Sequence, residues 1–265
     1  MKRVSFLGGG KMAEAIVSGL LKASWARGDE ILVYDVDRSR LEHLVAAYGV
    51  NAAVSNREAA AEGETVILAV KPQNLEEVLK EVAGSIPAGR TVISIAMGKS
   101  TSFIEGLLPG GTPVVRVMPN NPALVGAAVS VLSYGRFVGE EDRSRALGIF
   151  RCLGDVHEVE ERYQDAAMAL SGCGPAYFYL VAEAMTDAGV KLGLQRELAL
   201  RLTAGTMLGA AVMLRESGLE PARLKDMVTS PGGATIMALE ALEEAGLRAA
   251  FFRAVDAAYR RAREV

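Results

Sequence analysis

The sequence predicts an α/β fold in two parts: a mainly parallel sheet wound with helices, then an all-helical segment. Three observations carry this. From Lys2 to about Val159, short β-rich runs alternate with amphipathic helical ones. A glycine-rich turn joins the first strand to the first helix, and after Glu160 strand-like runs cease. Strand–helix alternation means βαβ units, because parallel neighbours need a long crossover. The expected domains are therefore residues 1–159 and 160–265.

Taken in order, Val4–Leu7, Ile31–Tyr34, Asn51–Val54, Thr65–Val70, Thr91–Ile95, Val114–Val117 and Ala128–Leu132 read as strands. Each is a short apolar run rich in β-branched residues. Between the first two lies Met12–Trp25, where Met12, Ile16 and Leu20 recur on one helical face. From Glu161 onward the pattern is helical, broken at Gly172–Pro175, Gly193, Gly218–Pro221, Pro231–Gly233 and Gly246. Ala176–Leu192 and Leu198–Leu214 are apolar nearly all round, so each must be covered on every side. About a hundred residues cannot enclose two such helices, and an obligate homodimer interlocked through this half is expected. Arg201 interrupts Leu198–Leu214, which falls near the lower limit of a membrane span and reads as a buried helix.

Composition narrows the function classes. The 265 residues suit two domains, and with 50% hydrophobic and 23% charged residues a sizeable core is available. A net charge of −3 with scattered Lys and Arg argues against nucleic acid or an anionic membrane as partner. Cys152 and Cys173 are the only cysteines, and neither a disulfide framework nor a metal site is expected. The chain enters a strand at Val4, so a cytoplasmic protein without signal peptide is expected.

Gly8-Gly9-Gly10-Lys11-Met12-Ala13 satisfies G-x-G-x-x-A in its required context, after a strand and opening a helix. Gly8 serves the turn, Gly10 close approach to a pyrophosphate, and Ala13 tight helix–strand packing. A Rossmann-type dinucleotide-binding domain follows. At the end of the second strand the cofactor signals conflict. Asp35 suits the ribose hydroxyls of NADH, whereas Arg38 and Arg40 suit the 2′-phosphate of NADPH or simply a solvated first helical turn. Ala69-Val70-Lys71-Pro72, Ala96-Met97-Gly98 and Met118-Pro119-Asn120-Asn121-Pro122 end later strands and supply the remaining walls. Lys71 is either a catalytic acid or a surface lysine. His43 and His157, the only histidines, are structural by position. An alcohol or ketone oxidoreductase commonly needs a His or Lys proton shuttle. Reduction of a C=N bond needs less, because the nitrogen can arrive already protonated.

One further turn is suited to a small anion. In Ser230-Pro231-Gly232-Gly233-Ala234-Thr235, glycine N–H groups and the start of the helix Ile236–Leu242 converge. The same turn also reads as a plain helix start.

The motifs Gly8–Met12, Ala69–Gln73, Met118–Pro122, Ser171–Tyr177 and Ser230–Thr235 resemble, in order and spacing, those of pyrroline-5-carboxylate reductase. The resemblance covers essentially the whole chain. It implies reduction of L-1-pyrroline-5-carboxylate to L-proline by NADPH or NADH, the last step of proline biosynthesis. It also implies a Rossmann-type sheet with an all-α C-terminal dimerisation domain, and homodimers within larger rings. Carried over by position, Ser230, Gly232, Gly233, Ala234 and Thr235 would hold the substrate carboxylate. Thr235 would hydrogen-bond the ring nitrogen as the catalytic group, with Glu161 near that nitrogen. Leu7, Gly8, Gly9, Gly10, Lys11, Met12, Asn56, Ala69, Val70, Lys71, Pro72 and Ala96 would line the dinucleotide, and the strand-end reading above adds Asp35 and Arg38 at its ribose. A β-hydroxyacid dehydrogenase shares this plan, but the helix after Pro175 carries Lys191 only at its end. A dinucleotide-binding sensor without turnover is the alternative outside enzymes.

Overall fold

The computed structural model describes residues 1–264. Its first part alternates as the β-rich pattern requires: β1 (Lys2–Leu7), α1 (Lys11–Lys22), β2 (Ile31–Tyr34), α2 (Arg38–Tyr48), β3 (Asn51–Ala52), α3 (Asn56–Glu62) and β4 (Gly63–Leu68). It continues with α4 (Leu75–Val82), β5 (Thr91–Ser94), α5 (Thr101–Leu107), β6 (Val114–Met118), β7 (Ala128–Tyr134), α6 (Glu140–Arg151), β8 (Gly154–Glu158) and α7 (Gln164–Ala167). The helical remainder is α8 (Gly174–Lys191), α9 (Arg196–Glu216), α10 (Pro221–Met227), α11 (Ala234–Glu244) and α12 (Leu247–Ala262).

The eight strands form one sheet in the order β3-β2-β1-β4-β5-β6-β7-β8. Strands β1 to β6 run parallel, β7 turns antiparallel to β6, and β8 runs parallel to β7. Each strand alternates its side chains between two cores. Val4, Phe6, Val33, Ile67 and Ile93 face one way, against Ile16 and Leu20 of α1 and Ile149 and Phe150 of α6. Leu7, Leu32, Val66, Leu68 and Val92 face the other, against Leu75 and Leu79 of α4 and Ile104 of α5. Two strands depart from expectation. The run at 51–54 shortens to Asn51–Ala52, and the edge strand Gly154-Asp155-Val156-His157-Glu158 is added. Its polar composition hides it from an apolar-run criterion, and its pairing with β7 makes it a strand.

The compact units divide later than expected. One comprises Met1–Cys173 with the chain end from Ala258, and the other Gly174–Ala257. The boundary moves from 159/160 because residues 161–173 are bonded to the sheet. Gln164 is fully buried and donates to the carbonyl of Val131 and the hydroxyl of Ser133 at 3.1 and 3.0 Å. Asp165 accepts from Arg116 at 2.7 Å, and Met168 packs beside Met118.

In the second unit α8 and α9 pack together across a turn at Gly193, whose φ is +98°. A Cβ on Gly189 would lie 3.0 Å from that of Ala199, so small residues set how closely these helices approach. The stretch Leu198–Leu214, expected to be buried, is open in the single chain. Only Ala199 and Thr203 of α9 are buried, and Leu208 is 68% exposed. The physical reason is the one the composition gave: this half has too little chain of its own to cover it.

The α6 face of the sheet depends on Phe150, which is fully buried. Phe150→Ala should cost about 3–5 kcal/mol of stability, the range for deleting a buried aromatic ring. A shift of the urea midpoint to lower concentration at unchanged slope measures it.

Candidate active site

The site begins where β1 ends. Gly8 has φ +103°, and a Cβ there would sit 2.6 Å from the carbonyl oxygen of Ala69. Only glycine allows the backbone at the end of β1 to pass against that at the end of β4. Gly8 N–H donates to Tyr34 O at 2.8 Å, and Ala69 N–H donates to Leu7 O at 2.8 Å, which locks three strand ends together. Gly10 caps α1 without a side-chain hydrogen bond, and a Cβ on it would meet nothing within 4 Å. The turn therefore leaves open space in front of the positive end of a twelve-residue helix. That is the arrangement a pyrophosphate requires.

A cleft of about 330 Å³ opens there, at the carboxyl ends of β1, β2 and β4. Of the expected cofactor residues, Gly8, Gly10, Asp35, Asn56, Ala69, Val70 and Lys71 line it. Leu7 and Ala96 are instead buried in the sheet core, and Met12 packs against the α1 face. Gly9, Lys11, Arg38 and Pro72 also lie outside the lining. Tyr34, Val36, Asn74 and Val78 line the cleft and had not been singled out. Tyr34 and Val36 flank Asp35, so that position already pointed to them. Asn74 ends a short 3-10 turn from Pro72, and Val78 lies one turn into α4, with no sequence signal of their own.

The charged groups beneath the turn have definite partners. Asp35 accepts from Gly9 N–H at 2.6 Å and from Asp37 N–H at 2.8 Å, so its carboxylate ties the glycine turn to the end of β2. Arg40 donates through Nε and Nη2 to Gly9 O at 3.0 and 2.8 Å and through Nη2 to Glu14 at 2.9 Å. That corrects the expectation that it might meet a 2′-phosphate or stand in a solvated helical turn: Arg40 braces the turn from below. Arg38 is exposed and is the remaining cation of that pair. Glu14 also bonds His43 at 2.7 Å and Tyr48 at 3.3 Å. Burial works against its charge, but hydrogen bonds from His43 and Arg40 outweigh that and hold the carboxyl at about 2.

In the second unit the Ser230–Thr235 turn folds as the glycines demand. Gly232 has φ +67°, and Gly233 N–H donates to Ser230 O at 3.0 Å. A Cβ on Gly233 would fall 2.3 Å from the Ser230 hydroxyl. Gly233 caps α11 with no side-chain hydrogen bond, so the first-turn N–H groups of an eleven-residue helix are left open. Ser230, Gly232, Ala234 and Thr235 are exposed around it.

Glu161, expected beside a substrate nitrogen, has two partners within the first unit. Its Oε1 accepts from Thr101 N–H and its Oε2 from the Thr101 hydroxyl, both at 2.7 Å, and Arg116 lies 3.6 Å away. Among the described residues no group of three His, Cys, Asp or Glu side chains is placed to hold a metal ion.

Comparison with known proteins covers both units. The family model for pyrroline-5-carboxylate reductase dimerisation matches residues 161–265, and that for coenzyme F420-dependent NADP oxidoreductases matches residues 3–98. A pyrroline-5-carboxylate reductase of Methanosarcina acetivorans is 44% identical over 100% of this chain and 98% of its own length. The solved structure of the reductase from Coxiella burnetii is 37% identical with a TM-score of 0.91, covering 99% of this chain and 98% of that one. A Plasmodium falciparum pyrroline carboxylate reductase, solved with NADP bound, is 32% identical with a TM-score of 0.92, over 99% and 97% of the two chains.

The Glu14 network has a pH signature. A carboxyl lowered from 4.5 to about 2 adds stability that is present above its ordinary range and is lost as pH falls through about 2. Glu14→Gln should remove on the order of 1 kcal/mol at neutral pH, after allowing for solvent screening of its partly exposed partners. The difference from the parent should shrink steadily between about pH 5 and pH 2. Urea midpoints recorded across that range check it.

Proposed function

Because the chain belongs to the pyrroline-5-carboxylate reductase family, we propose that it reduces L-1-pyrroline-5-carboxylate to L-proline, the last step of proline biosynthesis. The observation that carries this best is the whole-length match, joined to two intact turns: Gly8–Gly10 before α1 and Ser230–Thr235 before α11. The Gly8–Ala69 approach and the open face of Gly10 fit a nicotinamide dinucleotide, NADPH in the first place and NADH as the second candidate. When bound, that cofactor supplies the hydride.

The chain's own residues do the rest. Gly8, Gly10 and the first turn of α1 hold the pyrophosphate, while Asp35, Asn56, Ala69, Val70 and Lys71 wall the dinucleotide. Arg38 is the free cation at the β2 end for a 2′-phosphate. Open first-turn N–H groups of Ala234 and Thr235 hold the substrate carboxylate at the positive end of α11, in a turn that the Gly233–Ser230 hydrogen bond closes. The Thr235 hydroxyl orients the ring nitrogen, which is protonated as the iminium before its carbon accepts two electrons. One hydride and one proton thus convert the imine to the secondary amine. Ser230 gives the turn its second hydroxyl. Glu161 is assigned to Thr101 rather than to the substrate in this reading, since each of its oxygens accepts a hydrogen bond from that residue.

The helical half carries a dimerisation domain, and the uncovered side chains there support a specific reading. Phe178, Leu180, Leu208 and Phe252 are 59%, 67%, 68% and 80% exposed in the single chain. Although α9 is long and apolar enough to cross a membrane, the dimerisation match favours a second subunit as its cover. The reading is a homodimer interlocked through α8 and α9, able to build larger rings, in a cytoplasmic enzyme.

Purified protein should oxidise NADPH or NADH on addition of pyrroline-5-carboxylate and leave both untouched without it. Thr235→Ala should lower turnover about ten- to a thousandfold, the range for losing one positioned donor. An unchanged rate removes Thr235 from the mechanism. Absence of turnover with either cofactor in the parent favours the sensor alternative. Light scattering should give a multiple of the single-chain mass, and Leu208→Glu should lower it by burying an unpaired carboxylate in the interface. A parent that runs as a single chain overturns the interlocked dimer.

A further inference from the structure

The loop leaving β5 is held by a carboxylate that comes from a distant part of the chain. Thr101 is the first residue of α5, which follows Ala96-Met97-Gly98-Lys99-Ser100. Glu161 clasps it through two bonds of 2.7 Å, one to the backbone N–H and one to the hydroxyl. On the other side of Glu161 stands Arg116 of β6, only 4% exposed. Arg116 spends Nη2 on Asp165 at 2.7 Å and places Nη1 3.6 Å from Glu161. The segment carrying both acids is itself bolted down by the buried amide of Gln164 on Val131 and Ser133.

The position of this clasp gives it a consequence for the cofactor. Ile95 N–H donates to Leu68 O at 3.1 Å, one residue before Ala69, which lines the dinucleotide cleft. The β5 loop is therefore next along the same line of strand ends, just beyond the residues that line the cleft. A doubly wound sheet seats a dinucleotide across two halves, one built on β1 to β3 and the other on β4 to β6. The clasp joins the end of β5 to β6 and so belongs to the second half. A buried arginine also cannot tolerate the loss of its anions, so the clasp is expensive to undo.

We infer that Glu161 is a positioning residue: through Thr101 and Arg116 it fixes the β5–α5 loop as a wall of the dinucleotide site. This rests on the dinucleotide reading above and replaces a direct role for Glu161 on the substrate. Without the clasp, the loop loses its anchor to the β6 end and the wall loosens. The effect reaches cofactor affinity first, and the hold on pyrroline-5-carboxylate only through it.

The test uses Thr101→Val, Thr101→Ser and Glu161→Gln in the full chain. NADPH binding is read by quenching of protein fluorescence, and the KM of each substrate by steady-state kinetics. Thr101→Val and Glu161→Gln should raise the NADPH Kd about tenfold, the size of one or two lost hydrogen bonds to a charged group. The KM for pyrroline-5-carboxylate should stay within about twofold of the parent. Thr101→Ser keeps both bonds and should restore parental binding. A raised KM for pyrroline-5-carboxylate with unchanged NADPH Kd overturns the inference and returns Glu161 to the substrate. A lower melting temperature with unchanged Kd and unchanged KM values overturns it as well, leaving a purely structural clasp. Should Glu161→Gln fail to fold, the Thr101 pair decides, since it leaves every buried charge in place. A parent that binds NADPH yet shows no turnover fails the proposed activity while the binding titration still decides the clasp.

Discussion

The structure of the dinucleotide half depends on one close approach, the passage of the Gly8 backbone against the Ala69 carbonyl. A single Cβ at Gly8 would stand 2.6 Å from that oxygen, well inside contact. With hydrogen there instead, β1 and β4 end side by side and α1 starts immediately above them. The cleft then has its floor, and the first-turn N–H groups of α1 face it. Three charged side chains, Asp35, Arg40 and Glu14, keep that turn still. Asp35 holds the Gly9 N–H from one side, and Arg40 holds the Gly9 carbonyl from the other. Glu14 in turn fixes Arg40. With the N–H and the C=O of Gly9 both engaged, the two peptide units that flank its Cα have little freedom left, and a phosphate-binding turn needs that rigidity more than it needs charge of its own.

Much of this was legible because the physics is local. Gly8, Gly10 and Ala13 announce themselves by spacing, since turn, approach and packing each demand a small residue at a fixed offset. Strands such as Ile31–Tyr34 and Val114–Met118 are short apolar runs because they are covered on both faces. The Ser230–Thr235 turn was legible for a similar reason: Gly232 has the left-handed φ of +67° that favours glycine, and Gly233 sits close against the Ser230 hydroxyl.

What stayed hidden depends on partners far away in sequence. Arg40 looked like a phosphate ligand or a solvated side chain, because nothing near it in the chain reveals Gly9 and Glu14 as its acceptors. Only the family resemblance places Glu161 near the substrate, and nothing beside it in the chain reveals Thr101 and Arg116 as its neighbours. The edge strand Gly154–Glu158 carries Asp155, His157 and Glu158, and only its pairing with β7 defines it. The boundary between units followed the same rule. Residues 161–173 read as the opening of the helical half, yet the buried Gln164 amide and the Arg116–Asp165 pair bind them to the sheet.

The two halves also solve the burial problem in opposite ways. In the sheet, fully buried side chains such as Phe6, Leu68 and Phe150 are enclosed by helices from the same chain. In the helical half, α9 buries only Ala199 and Thr203 while Leu200, Leu202 and Leu208 stay open. Such an apolar surface is unfavourable in water at roughly 25 cal/mol per Å², so it must be withdrawn from solvent by something. A bilayer would accept the length of α9, but it would have to accept Glu197, Arg201 and Arg215 as well. The match to a dimerisation domain over residues 161–265 points instead to another protein surface as the cover. A dimerisation domain ties the stability of the helical half to association, because α9 within one chain leaves most of its apolar side chains in water.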